Sequence, residues 1–161
     1  MAQIYISIGS NIERQKHIQA AVTELQRYFG PLQLSSVYES EAVGFSGDAF
    51  YNLVAGAHTD FSIAQCVSLF KQIEDAYGRD RSSARFSGRT LDLDLLTYDD
   101  VVCQQPVTLP REEICHNAFV LWPLAEIAPD AVHPLTKQRY ATLWQNYDKA
   151  QKLWPVPFNW E

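Results

Sequence analysis

The chain has 161 residues, a formal net charge of −6 and a composition that is 47% hydrophobic and 20% charged, which is typical of a soluble globular domain. This length predicts one domain over residues 1–161. The negative charge argues against nucleic acid or an anionic membrane as a partner, and no apolar segment approaches the ~18 residues of a membrane span. The three cysteines have no paired spacing, which favours reduced thiols, and we expect a cytoplasmic protein.

The first 96 residues alternate strand-like and helix-like patterns in the order strand, helix, strand, strand, helix, strand. The predicted strands are Ile4–Ile8, Leu32–Tyr38, Phe50–Ala57 and a segment ending at Leu96, and the predicted helices are Asn11–Phe29 and Phe61–Tyr77. The S-x-x-E spacing of Ser10 and Glu13 predicts a capping box at the first helix. This order predicts an α+β, ferredoxin-like βαββαβ fold, an antiparallel sheet with its helices on one face.

The C-terminal part adds elements to this core. Helices are predicted within Phe119–Glu126 and within Lys137–Tyr147, where aromatic residues at helical spacing indicate a core stripe. The proline-rich and aromatic tail from Trp154 to Trp160 is interpreted as an extended segment laid over the domain, with a partner-binding tail as the alternative.

Two aspartates lie in the middle of the last predicted strand. Leu91, Leu93 and Leu95 fall on one face by period-two alternation, and Asp92 and Asp94 fall on the other. Aspartate is depleted from strands, so the pair needs a reason. Residues i and i+2 are about 7 Å apart, which lets their carboxylates converge on one or two divalent cations. The pattern alone equally allows a strand with one solvated face.

An arginine-rich segment precedes this strand and favours the metal interpretation. Residues 79–89 contain four of the eight arginines of an acidic chain. Guanidinium groups suit phosphate oxygens, although a solvated basic loop is the usual explanation of a charge cluster. A phosphate-bearing substrate with a divalent cation is the simplest ligand that satisfies both features. Phosphate-loop, serine-nucleophile, zinc and RNA-binding motifs are absent from the sequence.

The residues Gly88-Arg89-Thr90-Leu91-Asp92-Leu93-Asp94 closely resemble the signature of the 6-hydroxymethyl-7,8-dihydropterin pyrophosphokinase family. Supporting matches are Ile8-Gly9-Ser10-Asn11, Asn52 after Phe50, and the segment from Phe119 to Leu124. The resemblance covers Ile4 to about Pro129. It implies transfer of pyrophosphate from ATP to the hydroxymethyl group of the pterin in folate biosynthesis, with release of AMP. ATP and the pterin are then the small-molecule partners, and we expect a monomer.

The resemblance also implies roles for individual residues. Asp92 and Asp94 would hold two Mg²⁺ ions and act in catalysis with Arg79 and Arg89. The nucleotide side would contain Glu74, Arg81, Arg85, Phe86, Leu95, Thr108 and Arg111. The pterin side would contain Ser40, Val43, Phe50, Asn52 and Phe119, with the two phenylalanines sandwiching the ring and Asn52 bonding its edge. No general base is assigned.

Two departures from the family pattern fall on the nucleotide side. Arg111 stands where the family usually has histidine, and Asn117 stands where it has arginine. These changes motivate a second hypothesis, a paralogue that binds pterin with weak or no ATP-dependent activity. A third, an unrelated ferredoxin-like regulatory domain, leaves the signature around Asp92 and Asp94 unexplained.

Overall fold

The computed structural model describes residues 1–40, 49–78, 90–148 and 151–160. In chain order the elements are β1 (Ala2–Ser10), α1 (Arg14–Phe29), β2 (Gln33–Leu34), β3 (Val37–Ser40), β4 (Phe50–Thr59), α2 (Ile63–Ala76), β5 (Asp92–Tyr98), α3 (Glu113–His116), α4 (Ala118–Ile127), α5 (Tyr140–Gln145) and β6 (Leu153–Val156). None of the helices in these ranges is long and apolar enough to cross a membrane.

The strands form one antiparallel sheet in the order β5-β1-β4-β3-β6, with β2 also paired to β4. This confirms the predicted α+β fold. The predicted strand Leu32–Tyr38 is divided into β2 and β3. At the division, Ser35 Oγ accepts the Val54 N–H at 2.9 Å and Ser36 N–H bonds Glu126, so side chains interrupt the main-chain ladder.

Helical layers cover both faces of the sheet. α1 and α2 pack on one face, where Ile4, Ile6 and Ile8 meet the apolar stripes of the two helices. The C-terminal additions α4 and α5 pack on the other face, against Val54 and Leu96. The aromatic stripe predicted around α5 is confirmed as core, with Tyr140 fully buried.

The predicted alternation in β5 holds up to a bulge. Leu91, Leu93 and Leu95 are buried in the first core, whereas Leu96 is buried in the second. Ile6 pairs with Leu95 but Tyr5 pairs with Thr97, which makes Leu96 the extra residue of a β-bulge. The bulge lies beyond the two aspartates, so both remain on the face opposite α1 and α2.

The predicted capping box of the first helix is wrong. α1 begins at Arg14 rather than Asn11, and its N-cap residue, Glu13, has a left-handed backbone with no side-chain cap. Ser10 cannot cap the helix because it still belongs to β1, paired with Tyr51, and its hydroxyl donates to Ile12 O. A capping box is found instead at α2, where Ser62 and Gln65 bond reciprocally.

The C-terminal tail is extended, as predicted, and part of it is a strand. β6 pairs antiparallel with β3, with Val37 opposite Val156 and Ser40 opposite Leu153. It therefore covers the edge of β3, whose unpaired N–H and C=O groups could otherwise pair with another chain.

Candidate functional site

A row of four residues crosses the sheet on the face opposite α1 and α2. Asp92 pairs with Gly9, Gly9 with Asn52, and Asn52 with Tyr38. Residues that pair directly on neighbouring strands point to the same face. With strands about 4.8 Å apart, Asp92 and Asn52 are roughly 10 Å apart and have only a glycine between them. The row therefore joins the predicted metal site to the predicted pterin site.

Gly9 keeps the middle of this row open. A Cβ atom at this position would lie 2.7 Å from Asn52 Oδ1, closer than side chains tolerate. The Asn52 side chain occupies the space above Gly9 and is buried, with an exposed fraction of 6%. Sequence reasoning treated Gly9 as the end of a strand and missed this role. The available signal was a glycine inside a strand, which often marks a close approach.

The two acidic side chains lie side by side on β5, and the pKa of Asp94 is raised. Partial burial and the negative charges of Asp92, Glu74 and Glu113 raise the pKa of Asp94 to about 7, while Arg111 opposes this shift. The Asp94 side chain is still 43% exposed, so a ligand can reach it. A carboxylate held among other carboxylates is an arrangement that a bound cation relieves.

The free edge of β5 is covered by one acid and one arginine. Glu74, buried on α2, accepts the Leu93 N–H at 2.7 Å. Arg111 donates from its main chain to Leu96 O at 2.9 Å and from Nε to Leu95 O at 3.2 Å. These contacts hold its Nη2 3.6 Å from Asp94 Oδ1.

Several residues predicted for the nucleotide side line one cavity. Its volume is about 220 Å³, and its walls include Glu74, Leu95 and Arg111 together with both aspartates. Thr108 is exposed and follows Val107, which lines the same cavity. Sequence reasoning missed Glu113, which adds negative charge near Asp94 and lies 3.9 Å from Arg111 Nε.

The predicted pterin residues that are described lie at the other end of the row. Asn52 Nδ2 donates to Ser40 Oγ over a long distance of 3.5 Å, and both side chains are buried. Phe50 pairs with Ser40 and is on the same face of the sheet. Phe119, the second residue of α4, packs partly buried against the second core.

Six of the predicted site residues lie outside the described residues: Val43, Arg79, Arg81, Arg85, Phe86 and Arg89. Their roles stay predictions from the resemblance.

The donor set suits a particular kind of cation. Within the described ranges, no group of three histidine, cysteine or acidic side chains is arranged to hold a metal. Mg²⁺ usually takes only one or two protein carboxylates and completes its shell with water and substrate phosphates. Asp92 and Asp94 fit that requirement, and zinc-type ligation is not supported there.

Paired acids and an arginine at the edge strand of a ferredoxin-like sheet define a site of the class that binds a phosphate group together with a divalent cation. Comparison with known families specifies the class further. The model of the 7,8-dihydro-6-hydroxymethylpterin-pyrophosphokinase (HPPK) family matches residues 5–129, and the chain belongs to this family. The predicted family is thereby confirmed.

Several relatives carry the matching name 2-amino-4-hydroxy-6-hydroxymethyldihydropteridine pyrophosphokinase. The protein from Aquifex aeolicus is 30% identical over 141 residues, covering 86% of this chain and 88% of the relative. The Synechocystis protein is 33% identical over 155 residues, covering 94% and 78%. The Pseudomonas aeruginosa protein is 34% identical over 137 residues, covering 80% and 82%.

Solved structures support the fold. Crystal structures of Plasmodium falciparum HPPK-DHPS, wild type alone and wild type with SDX-DHP, match with TM-scores of 0.71 and 0.70. The match covers 89% and 90% of this chain but only 44% and 43% of those longer chains. At 12% identity the likeness shows the fold alone.

Proposed function

We propose that the row from Asp92 to Asn52 is the site at which this chain performs the reaction of its family. The chain is an ATP-using pyrophosphokinase of folate biosynthesis, which transfers pyrophosphate to the hydroxymethyl group of 6-hydroxymethyl-7,8-dihydropterin and releases AMP. The alternative of a paralogue that binds pterin with weak or no ATP-dependent activity is not favoured, because the matching relatives are named as pyrophosphokinases and both acids are present.

One observation carries the assignment of the metal ligands. Asp92 and Asp94 are adjacent on one face of β5, and burial and neighbouring acids raise the pKa of Asp94 to about 7. We assign two Mg²⁺ ions to this pair, in keeping with the resemblance. When bound there, the ions would supply positive charge that offsets the negative charge of the triphosphate and favours displacement at the β-phosphorus.

The residues on the edge of β5 are proposed to receive the nucleotide. Arg111 is held at Asp94 by two hydrogen bonds to β5 carbonyls, so its guanidinium can reach a phosphate bound at the acids. Glu74 fixes the position of β5 by accepting the Leu93 N–H, and its carboxylate adds negative charge beside the acids. Leu95 and Thr108 are proposed to border the nucleotide, and Arg81, Arg85 and Phe86 join them on the resemblance alone.

The other end of the row is proposed to receive the pterin. The Asn52 amide makes one long bond to Ser40, which it can exchange for shorter bonds to the donor–acceptor edge of the ring. Phe50 and Phe119 supply aromatic faces for a flat heterocycle, and Val43 is assigned to the same pocket from the resemblance. Because Gly9 adds no side chain, ring and phosphates share one open strip of the sheet.

This arrangement explains the reaction mainly by placement. The pterin hydroxyl oxygen forms a bond to the β-phosphorus as the bond from that phosphorus to the AMP oxygen breaks, and the hydroxyl proton passes to solvent. When the two substrates are held on one rigid sheet, their translational and rotational entropy is lost on binding. The activation barrier of the chemical step is lower as a result. Arg79 and Arg89 are proposed to offset the charge that develops on the transferred group.

The test is the reaction itself. Purified protein with Mg-ATP and the reduced pterin should yield AMP and pterin pyrophosphate in equal amounts, and omission of either substrate should yield neither. Absence of AMP at micromolar enzyme would overturn the proposal. The expectations of a monomer, of a cytoplasmic location and of no nucleic-acid partner stay predictions; light scattering addresses the first.

A further inference from the structure

A short C-terminal segment, residues 151–156, contacts both sides of the proposed pterin site. It lies beyond residues 5–129, the part of the chain that the family model matches. Gln151 reaches the start of α4, which carries Phe119. Two residues later, Leu153 pairs with Ser40 at the end of β3. One stretch of chain thus joins the two regions on either side of the ring.

Gln151 serves as the cap of α4. Its Oε1 accepts the Ala118 N–H, which has no acceptor within the helix. The N-cap residue, Asn117, makes no side-chain cap of its own. The Gln151 amide is itself oriented by two partners: Tyr147 Oη lies 3.0 Å from Oε1, and Nε2 donates to Asn117 Oδ1 at 3.4 Å. The first turn of α4 is therefore fixed from outside the helix.

Strand β6 fixes the opposite side. Trp154 pairs with Glu39 and donates from Nε1 to Glu39 Oε1 at 3.1 Å. Arg14 bonds the other Glu39 oxygen at 2.6 Å and donates to Ala49 O at 2.9 Å. These contacts tie together the end of β3 and the start of β4, which carry Ser40 and Phe50.

We infer that Gln151 is a positioning residue for pterin binding, which acts by holding the first turn of α4 and thereby Phe119. This inference rests on the proposed function, since Phe119 is assigned to the pterin there. It goes further because Gln151 is not proposed to contact the pterin and lies 32 residues from Phe119 in the chain. Loss of the cap should loosen one aromatic face of the pterin site and leave the acids on β5 unaffected.

The experiment compares Gln151→Ala with Gln151→Glu and with Lys152→Ala, a substitution at the neighbouring exposed residue. Pterin affinity is measured by calorimetry with a non-hydrolysable ATP analogue present, and KM is measured for each substrate. Gln151→Ala should weaken pterin binding about three- to tenfold, as expected for one lost hydrogen bond. The ATP KM should stay within about twofold, and the melting temperature should fall by no more than about 4 °C, as expected for the loss of one helix cap.

The conservative variant Gln151→Glu distinguishes the effect of the capping hydrogen bond from the effect of side-chain volume. Gln151→Glu keeps an acceptor for the Ala118 N–H, at a helix N-terminus that favours negative charge, and should restore wild-type affinity. The inference is overturned if Gln151→Ala binds pterin as well as Lys152→Ala. It is also overturned if both KM values rise together with a lower melting temperature. Calorimetry reports pterin affinity even without AMP formation, so failure of the proposed reaction remains distinguishable.

Discussion

The two ends of the site differ in how their residues are held. At the acidic end, Asp92, Asp94 and Glu74 are like charges crowded on one strand edge, with Arg111 as a partial counter-charge. At the pterin end, the side chains are uncharged and fixed by close packing, as Asn52 is over the glycine. Substitution at the acidic end should therefore remove function and spare the fold, whereas substitution at the pterin end should affect both.

The largest effect is expected for Asp94→Asn. Loss of a carboxylate that is proposed to bind the metal should lower turnover by a factor of about 10³ or more, since a metal in that role supplies several kcal/mol of charge stabilisation. The melting temperature of the metal-free protein should be equal or higher, because the raised pKa shows that the ionised side chain is unfavourable in the fold. AMP production and thermal unfolding measure the two quantities.

Asp100→Asn is the matched control for this variant. It makes the same charge change at an exposed residue just beyond β5. Turnover at the wild-type rate in Asp94→Asn would refute the metal assignment, and a large loss of stability would show that the acids stabilise the fold.

The next effect is expected for Gly9→Ala. Its Cβ would lie 2.7 Å from Asn52 Oδ1, so the buried amide must move. Overpacking of this kind costs about 1–3 kcal/mol of stability, and the displaced amide should weaken pterin binding about tenfold or more. Urea unfolding and calorimetry measure these effects.

Gly56→Ala separates steric strain from site geometry. Gly56 is on β4, the strand that carries Asn52, but it lies away from the pterin end. Its added Cβ would lie 2.9 Å from Tyr5 Cε1. It should destabilise the fold with pterin affinity unchanged. Equal pterin affinities in the two glycine variants would mean that Gly9 has no special place in the site.

A smaller effect is expected for Arg111→Gln. Removal of a guanidinium 3.6 Å from Asp94 should raise the ATP KM about tenfold, as for loss of one charge-assisted phosphate contact, and leave pterin affinity unchanged. Arg139→Gln removes an exposed pairing with Asp130 and serves as the control. An unchanged ATP KM in Arg111→Gln would place the nucleotide elsewhere.

The smallest effect is a pH dependence of stability in metal-free buffer. The Asp94 pKa is raised to about 7, so the neutral side chain is favoured in the folded chain. Its contribution to stability is present below about pH 4 and is lost as pH rises through 7. The wild type should thus lose stability relative to Asp94→Asn between pH 5 and 8, by no more than about 1 kcal/mol because solvent screens the exposed side chain. Parallel urea curves at all pH values would contradict this.

Local patterns predicted most of the fold. The order of elements and the faces of β5 follow from period-two and period-3.6 patterns, which depend only on neighbouring residues. The cap of α1 was mispredicted because Ser10 is taken up by pairing with β4, and β2 and β3 separate because Ser35 bonds Val54. Neither competing partner is close in sequence.

The site residues also divide into those that local sequence patterns predict and those that depend on contacts between distant parts of the chain. Asp92 and Asp94 are recognisable because both lie in one strand, and the arginines because they lie just before it. The position of Gly9 between the two ends requires the register of three strands. The contact of Gln151 with Ala118 joins residues 33 positions apart and has no local signal.

The central claim is that the Asp92–Asp94 pair holds two cations when both substrates are bound. It is tested most directly by titration with Mn²⁺, as a spectroscopic substitute for Mg²⁺, in the presence of a non-hydrolysable ATP analogue and the pterin. The wild type should bind two ions per chain, and Asp92→Asn and Asp94→Asn should each bind fewer than two at the same concentrations. Two ions per chain with unchanged affinity in both variants would contradict the claim.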